Sequence, residues 1–289
     1  MVHKSSRWKI RSKIITIDRP MIMGIVNITP DSFYDGGRFE SPKKALEQAY
    51  RLIEEGADIL DFGAESTRPG AKMIREADEL TRLMPVLEEL CGKVSVSISV
   101  DTSKAKVAKA ALECGADIIN DVSSFRQEPE LANVVAHYRA GIVLMHRRGT
   151  PGTMQQMTNY DDLMKEITEE LSERMRFAEQ NGIDAEQMVL DPGIGFAKTP
   201  AQNFEMIRRL SELHELERPV LVGPSRKSFI GSVTGKGPED RLPGTIAACV
   251  MSVLNGGQIL RVHDVREVRE AILVSQLMVQ SNSNREVRV

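Results

Sequence analysis

Two stretches decide how this chain is read: AYRLIEEGADILDFG (49–63) and AKAALECGADIINDV (108–122). Each opens as an amphipathic helix, breaks at a Gly, and continues as a short apolar run ending in polar residues. Gly is expected at a helix C-cap because it enters the left-handed region without a Cβ penalty. The β-branched run after it suits a strand buried on both faces, as in a parallel sheet. The unit recurs in AHYRAGIVLMH (136–146), MRFAEQNGIDAEQMVLDPG (175–193) and CVMSVLNGGQILRVHDV (249–265). The echo of GADIL and GADII, starting at Gly56 and Gly115, hints at a repeated supersecondary unit but is too short to establish duplication.

Further strands at 21–26, 95–100 and 219–222 bring the expected number to eight. Their C-terminal ends fall near Asn27, Asp61, Asp101, Asn120, Met145, Asp191, Gly223 and Arg261. Helical patterns lie between them at about 41–55, 75–90, 104–113, 129–138, 160–180, 200–210, 239–254 and 264–279. Eight such units match the ~250 residues of a (β/α)8 TIM barrel. A doubly wound open sheet is the rival, but it would normally carry GxGxxG after its first strand, and the chain has none. The expected fold is therefore one α/β barrel over 20–280. A basic strand or hairpin at 1–19 would cap it, and a flexible tail would run from 281 to 289.

The composition agrees. With 289 residues, 41% hydrophobic, the chain can bury a large core, which excludes wholesale disorder. The balance of 38 basic and 41 acidic residues leaves no global field for nucleic acid or an anionic membrane. Only 4% of residues are aromatic, which argues against stacking platforms for bases or sugars. Cys91, Cys114 and Cys249 are too scattered for a disulfide framework and read as buried thiols in a reducing compartment, hence a cytoplasmic protein.

In a barrel, strand ends distant in sequence meet at one rim. There the chain offers Asn27, Asp61, Glu65, Asp101, Asn120, Asp121, His146, Asp191, Lys227, Arg261 and His263. Each alone is as readily a helix cap as a ligand; together they form a candidate site. SRKS (225–228) and RVH (261–263) add cations on the late strands, where barrels often hold phosphate. Arg226 and Lys227 precede a helix, a poor place for cations unless an anion is bound. HExxH, CxxC and EF-hand spacings are absent, so no protein-built metal cage is encoded, and the lack of GxSxG disfavours acyl chemistry. A hard cation held by one or two protein oxygens plus a substrate phosphate would leave little trace.

At these residues the chain resembles the dihydropteroate synthase family, the folate-pathway enzymes targeted by sulfonamides. Eight motifs occur in family order: MGIVNITPDSFYDGG (23–37), GADILDFGAESTRPGA (56–71), SVDTSKA (99–105), GADIINDVSS (115–124), LMHRRGTPGTMQ (144–155), VLDPGIGFAKT (189–199), GPSRKSFIG (223–231) and RVHDV (261–265). The resemblance implies a pterin-binding (β/α)8 barrel, a Mg²⁺-dependent homodimer. Such an enzyme joins 6-hydroxymethyl-7,8-dihydropterin diphosphate to p-aminobenzoate, releasing pyrophosphate by a dissociative displacement.

It further implies that Asp191, Asn120 and Lys227 read the polar atoms of the pterin. Asp101 would stand near the pyrazine side and stabilise a pterin-methyl cation. Met145, Phe196 and Val122 would line the ring faces, with Gly223 beside them. Asn27 would contact Mg²⁺, and Thr67, Arg261 and His263 would hold the diphosphate. Phe33, Thr67, Arg68, Pro69 and Ser228 would shape the p-aminobenzoate pocket. Asp101, Lys227 and Arg261 would carry the chemistry. Ala197, Arg147 and Gly152 depart from the family pattern, where Gly, an apolar residue and a basic residue are usual, and the second Ser of NDVSS replaces a common Gly. An inactive paralogue and a corrinoid-dependent methyltransferase of similar fold are the rivals. The intact rim residues disfavour the first, and the cationic late strands disfavour the second.

Overall fold

The computed structural model describes residues 6–28, 40–66, 70–71 and 73–279. The chain enters through an antiparallel hairpin of β1 (Ser6–Ile10) and β2 (Lys13–Ile17). Eight parallel strands follow: β3 (Met21–Asn27), β4 (Ile59–Gly63), β5 (Ser97–Asp101), β6 (Ile118–Asp121), β7 (Gly141–Met145), β8 (Met188–Asp191), β9 (Leu221–Val222) and β10 (Ile259–Val262). They pair in the order β8-β7-β6-β5-β4-β3-β10-β9, and a bridge between Leu190 and Val220 joins the two ends into a barrel. The outer layer contains α1 (Glu40–Glu54), α2 (Glu76–Leu90), α3 (Ala105–Cys114), α4 (Leu131–Tyr138), α5 (Leu163–Gln180), α6 (Pro200–Arg208), α7 (Ser228–Thr234), α8 (Leu242–Leu254) and α9 (Val265–Val279). This is the expected TIM barrel with an N-terminal hairpin.

Side chains alternate across a strand with a period of two, so one inward row can be followed from floor to mouth. Met21, Met23, Ile59, Ile118, Val143, Val189, Leu221 and Ile259 pack together as the floor. Two positions further along their strands stand Asp61, Asn120, Met145, Asp191, Gly223 and Arg261. The register sets Gly63 beside Asp101, Asp101 beside Asn120, and Met145 beside Asp191. An apolar plug therefore carries a polar rim.

The hairpin closes the opposite end. Trp8, Ile10 and Ile17 are buried in the floor cluster, and Trp8 Nε1 donates to Gln187 O at 2.8 Å. The Gly cap appears at Gly115, whose φ of 118° lets its N–H reach Ala111 O and Leu112 O. After α4 the expectation fails, because Arg139 takes the left-handed cap with φ 51°. Gly141 instead opens β7, where a Cβ would lie 2.5 Å from Ile10 Cγ2. The helix expected after Arg226 and Lys227 is present as α7, only seven residues long.

The thiols also differ from expectation. All three are free, but only Cys249 is buried and Cys91 and Cys114 are partly exposed; burial, and then the neighbouring Cys114, pushes the Cys91 thiol up to about 12.

Candidate active site

The mouth is organised around Asp61, which is fully buried. Its carboxylate accepts from Ser99 Oγ at 2.6 Å, Asn120 Nδ2 at 3.1 Å and Arg261 Nε at 2.6 Å. Arg261 reaches on to Asp101, donating from Nη2 to Oδ2 at 2.8 Å. One guanidinium thus bridges two carboxylates from different strands. With Nε and one Nη2 hydrogen so engaged, three of its five N–H donors remain for a ligand. Burial pushes Asp101 up to about 7, with Asp61, Glu79 and Asp121 adding to the shift and Arg261 opposing it.

Across the mouth, Asp191 Oδ1 accepts from Gly193 N at 2.7 Å, and burial raises this carboxyl while Lys227 opposes the rise. Lys227 Nζ donates to Ile194 O and lies 4.7 Å from the Phe196 ring centroid. Burial lowers this ammonium to about 8, against the pull of Asp191. Phe196, Met145, Val122, Met154 and Ala197 form a separate apolar cluster at this end. The result is a slot with an apolar wall, flanked by a carboxylate, a carboxamide and an ammonium. A flat heterocycle with an amide-like edge satisfies both kinds of surface. Gly223 lies between Lys227 and Arg261, where a Cβ would make ordinary contact at 3.9 Å from Lys227 Nζ and 3.7 Å from Arg261 Cβ.

Asn27 ends β3 beside Gly63. A Cβ on Gly63 would lie 3.7 Å from Asn27 Oδ1 and 3.9 Å from Asp101 Oδ2, so both side chains flank this glycine. Among the described residues no group of three or more His, Cys, Asp or Glu side chains is placed to hold a metal. His263 Nδ1 is 2.9 Å from Ser225 Oγ, and Ser225 Oγ accepts from His263 N at 3.2 Å. Ser228 is exposed at the first turn of α7. Phe33, Thr67, Arg68 and Pro69 lie outside the described residues.

Three rim candidates do not face the slot chemistry expected of them. Asp121 caps its own turn, accepting from Ser103 Oγ, Ser123 N and Phe125 N at 2.6–2.8 Å. His146 is buried behind the wall against Lys198 and Glu170. Arg226, read as an anion ligand, is already paired with Asp264 and Glu239. Its cation at a helix start is therefore neutralised by carboxylates of this chain. Conversely, Lys198 was missed, although a cation just before the α6 N-terminus was the available signal. Glu65 is held by the buried Lys104, which also contacts Glu79. Arg147 is buried just past β7; burial lowers its guanidinium, with nearby Asp121 and Asp101 opposing.

A family model described as pterin binding enzyme matches residues 23–263. Dihydropteroate synthase of Synechocystis sp. is 45% identical over 261 residues, covering 90% of each chain. Among solved structures, Xanthomonas albilineans dihydropteroate synthase with 4-aminobenzoic acid aligns with a TM-score of 0.89 at 43% identity. That alignment covers 96% of this chain and 99% of the other. Yersinia pestis dihydropteroate synthase in a sulfonamide drug complex gives a TM-score of 0.89 at 41% identity, covering 94% and 99%.

Proposed function

The chain belongs to the pterin-binding enzyme family, among the dihydropteroate synthases, and from that membership we propose the reaction its mouth performs. It condenses 6-hydroxymethyl-7,8-dihydropterin diphosphate with p-aminobenzoate to give 7,8-dihydropteroate and pyrophosphate. The observation that carries this reading is the slot itself: Asp191, Asn120 and Lys227 around an apolar wall of Met145, Val122 and Phe196. Asp191 accepts from the 2-amino group and N3–H, as a carboxylate with two oxygens can. Lys227 and Asn120 pair the remaining polar atoms. Leaving such groups unpaired on burial would cost about 1–3 kcal/mol each.

Arg261 and His263 hold the diphosphate together with Thr67. Arg261 offers its unused donors while remaining anchored on Asp61 and Asp101. As the C–O bond lengthens, negative charge grows on the leaving pyrophosphate, and these fixed donors stabilise it. Asp101, beside the pterin-methyl position, stabilises the positive charge left behind. The neutral arylamine nitrogen then attacks, so no covalent enzyme intermediate is needed. Phe33, Thr67, Arg68, Pro69 and Ser228 form the p-aminobenzoate pocket, which is also where sulfonamides compete.

Asn27 supplies one ligand to Mg²⁺. A single carboxamide oxygen at the end of β3 would fit a hard cation completed by substrate oxygens. When bound, Mg²⁺ neutralises diphosphate charge and aids its departure. We also infer a homodimer through α8 and α9, supported by the exposed apolar side chains of Met251, Leu273, Val274, Leu277 and Met278. No helix among the described residues is long and apolar enough to cross a membrane. The scattered cysteines fit the cytoplasm.

The test is pyrophosphate release from purified protein with both substrates and Mg²⁺. Turnover that requires all three supports the reading, and none at saturation would favour an inactive paralogue.

A further inference from the structure

Behind the slot lies a buried cation that the reaction as described does not use. Lys198 is 3% exposed. Its Nζ donates to Phe196 O at 2.9 Å and lies 3.0 Å from His146 Nδ1. No carboxylate among the described residues is hydrogen-bonded to it. His146 Nε2 faces Glu170 Oε2 at 3.4 Å, and Glu170 is paired with Arg148 at 2.6 Å. Because the Lys198 ammonium can only donate, Nδ1 accepts its hydrogen bond and the imidazole proton sits on Nε2, towards the carboxylate. The buried row therefore runs ammonium, neutral imidazole, carboxylate, guanidinium.

This row is fastened to both walls of the slot. His146 N donates to Asp191 O at 2.8 Å. Gly193, whose N–H holds the Asp191 carboxylate, leaves no room for a side chain: a Cβ would meet His146 O at 2.0 Å and Lys198 Nζ at 3.5 Å. Ala197 O accepts from Tyr160 Oη at 3.0 Å, and Arg148 covers the Tyr160 ring at 4.0 Å. Lys198 thus folds back inside the Asp191–Lys198 turn and closes it from behind, while Lys227 grips Ile194 O from the slot side.

We propose that Lys198 is a positioning residue for pterin recognition. Bonded to Phe196 O and His146 inside the turn, its ammonium is fixed where its charge favours the ionised form of Asp191. A buried ammonium without a bonded carboxylate is unfavourable for folding, and a Met of similar length would fill the space without that cost. The residue is therefore better explained by its effect on the site than by stability. Burial lowers Lys198 to about 7, with Asp191 opposing and Lys227 adding. The groups facing it are Asp191 on β8, His146 after β7, Glu170 on α5, Arg148, and Lys227 ahead of α7. As pH rises through 7 its charge, and with it the support given to Asp191, is lost.

The inference rests on the pterin assignment, and the experiment separates the two. Binding of 6-hydroxymethylpterin diphosphate to the full chain is measured by calorimetry between pH 6 and 9 for wild type and Lys198→Met. No binding by wild type would defeat the pterin assignment itself. The expected result is a roughly tenfold weaker Kd for the variant at pH 6, narrowing towards parity at pH 9, with a thermal midpoint at or above that of wild type. Lys198→Gln, polar but uncharged, is the second variant should the first misfold, and it is expected to show the same narrowing. A penalty that stays constant with pH would assign Lys198 a role in shape alone, and an unchanged Kd at pH 6 would remove it from recognition. Either result overturns the proposal.

Discussion

Ala197 is fully buried in the wall cluster yet sits at φ 51°, in the left-handed region. That conformation costs an L-residue about 1–2 kcal/mol. Gly would relieve it, but would lose a buried methyl worth about 0.8 kcal/mol and add about 0.5–1 kcal/mol of chain entropy. The terms nearly cancel, so Ala197→Gly should change unfolding free energy by less than about 1 kcal/mol in urea titration. The family departure at this position is therefore tolerated, not free. Asp191 and Lys227 differ, because they line the mouth and contribute little to the core. Asp191→Asn or Lys227→Ala should weaken pterin diphosphate binding by about 10–100-fold, the worth of one hydrogen bond to a charged group, with little loss of stability. Calorimetry showing unchanged affinity in both would sink the slot assignment.

Among the elements, the hairpin and the rim sit at opposite ends of the barrel, so their energetics separate. Trp8 fills the floor with 0% exposure, and its indole N–H is paired. Trp8→Ala should cost about 3–5 kcal/mol of stability and leave ligand affinity unchanged wherever the variant is folded. Parallel loss of affinity at low temperature would show that floor and mouth are coupled. Gly141→Ala tests the same seam from the other side, since its Cβ would press on Ile10; overpacking of this kind costs about 1–3 kcal/mol. The Gly-capped helices and buried strands were legible because caps and apolar runs are local features. The cap at Arg139 was not, because it is decided by how the hairpin meets β7.

At the scale of the whole molecule, two buried groups set opposing pH slopes. His146 is lowered to about 4 by burial and by Lys198, so between pH 6.5 and 4 the unfolded chain binds its proton first and stability falls with acidification. Asp101, raised to about 7, binds a proton first in the folded state, so over that window it adds stability as pH falls. Asp101→Asn removes the compensation. Its unfolding free energy should fall more steeply than that of wild type between pH 6.5 and 4, as read by denaturation at fixed pH. Equal slopes would show that Asp101 ionises normally in the fold. The apolar face of α8 and α9 belongs to the same scale: Leu273→Glu with Leu277→Glu should convert the proposed dimer to monomer in sedimentation, and a monomeric wild type would refute the dimer.

Strand number, strand positions and the polar strand ends at Asp61, Asn120 and Asp191 follow from the sequence by itself, because periodicity and capping act over a few residues. The family motifs named the slot residues. Only the tertiary structure decided which rim groups answer one another. Asp61 meets Arg261 across 200 positions and Asp101 meets it across 160. Arg226 is neutralised by Asp264, 38 positions on, and His146 turns away from the mouth while Met145 beside it turns in. Those outcomes depend on barrel register and on which buried charge finds a partner, and neither is a local property of the chain.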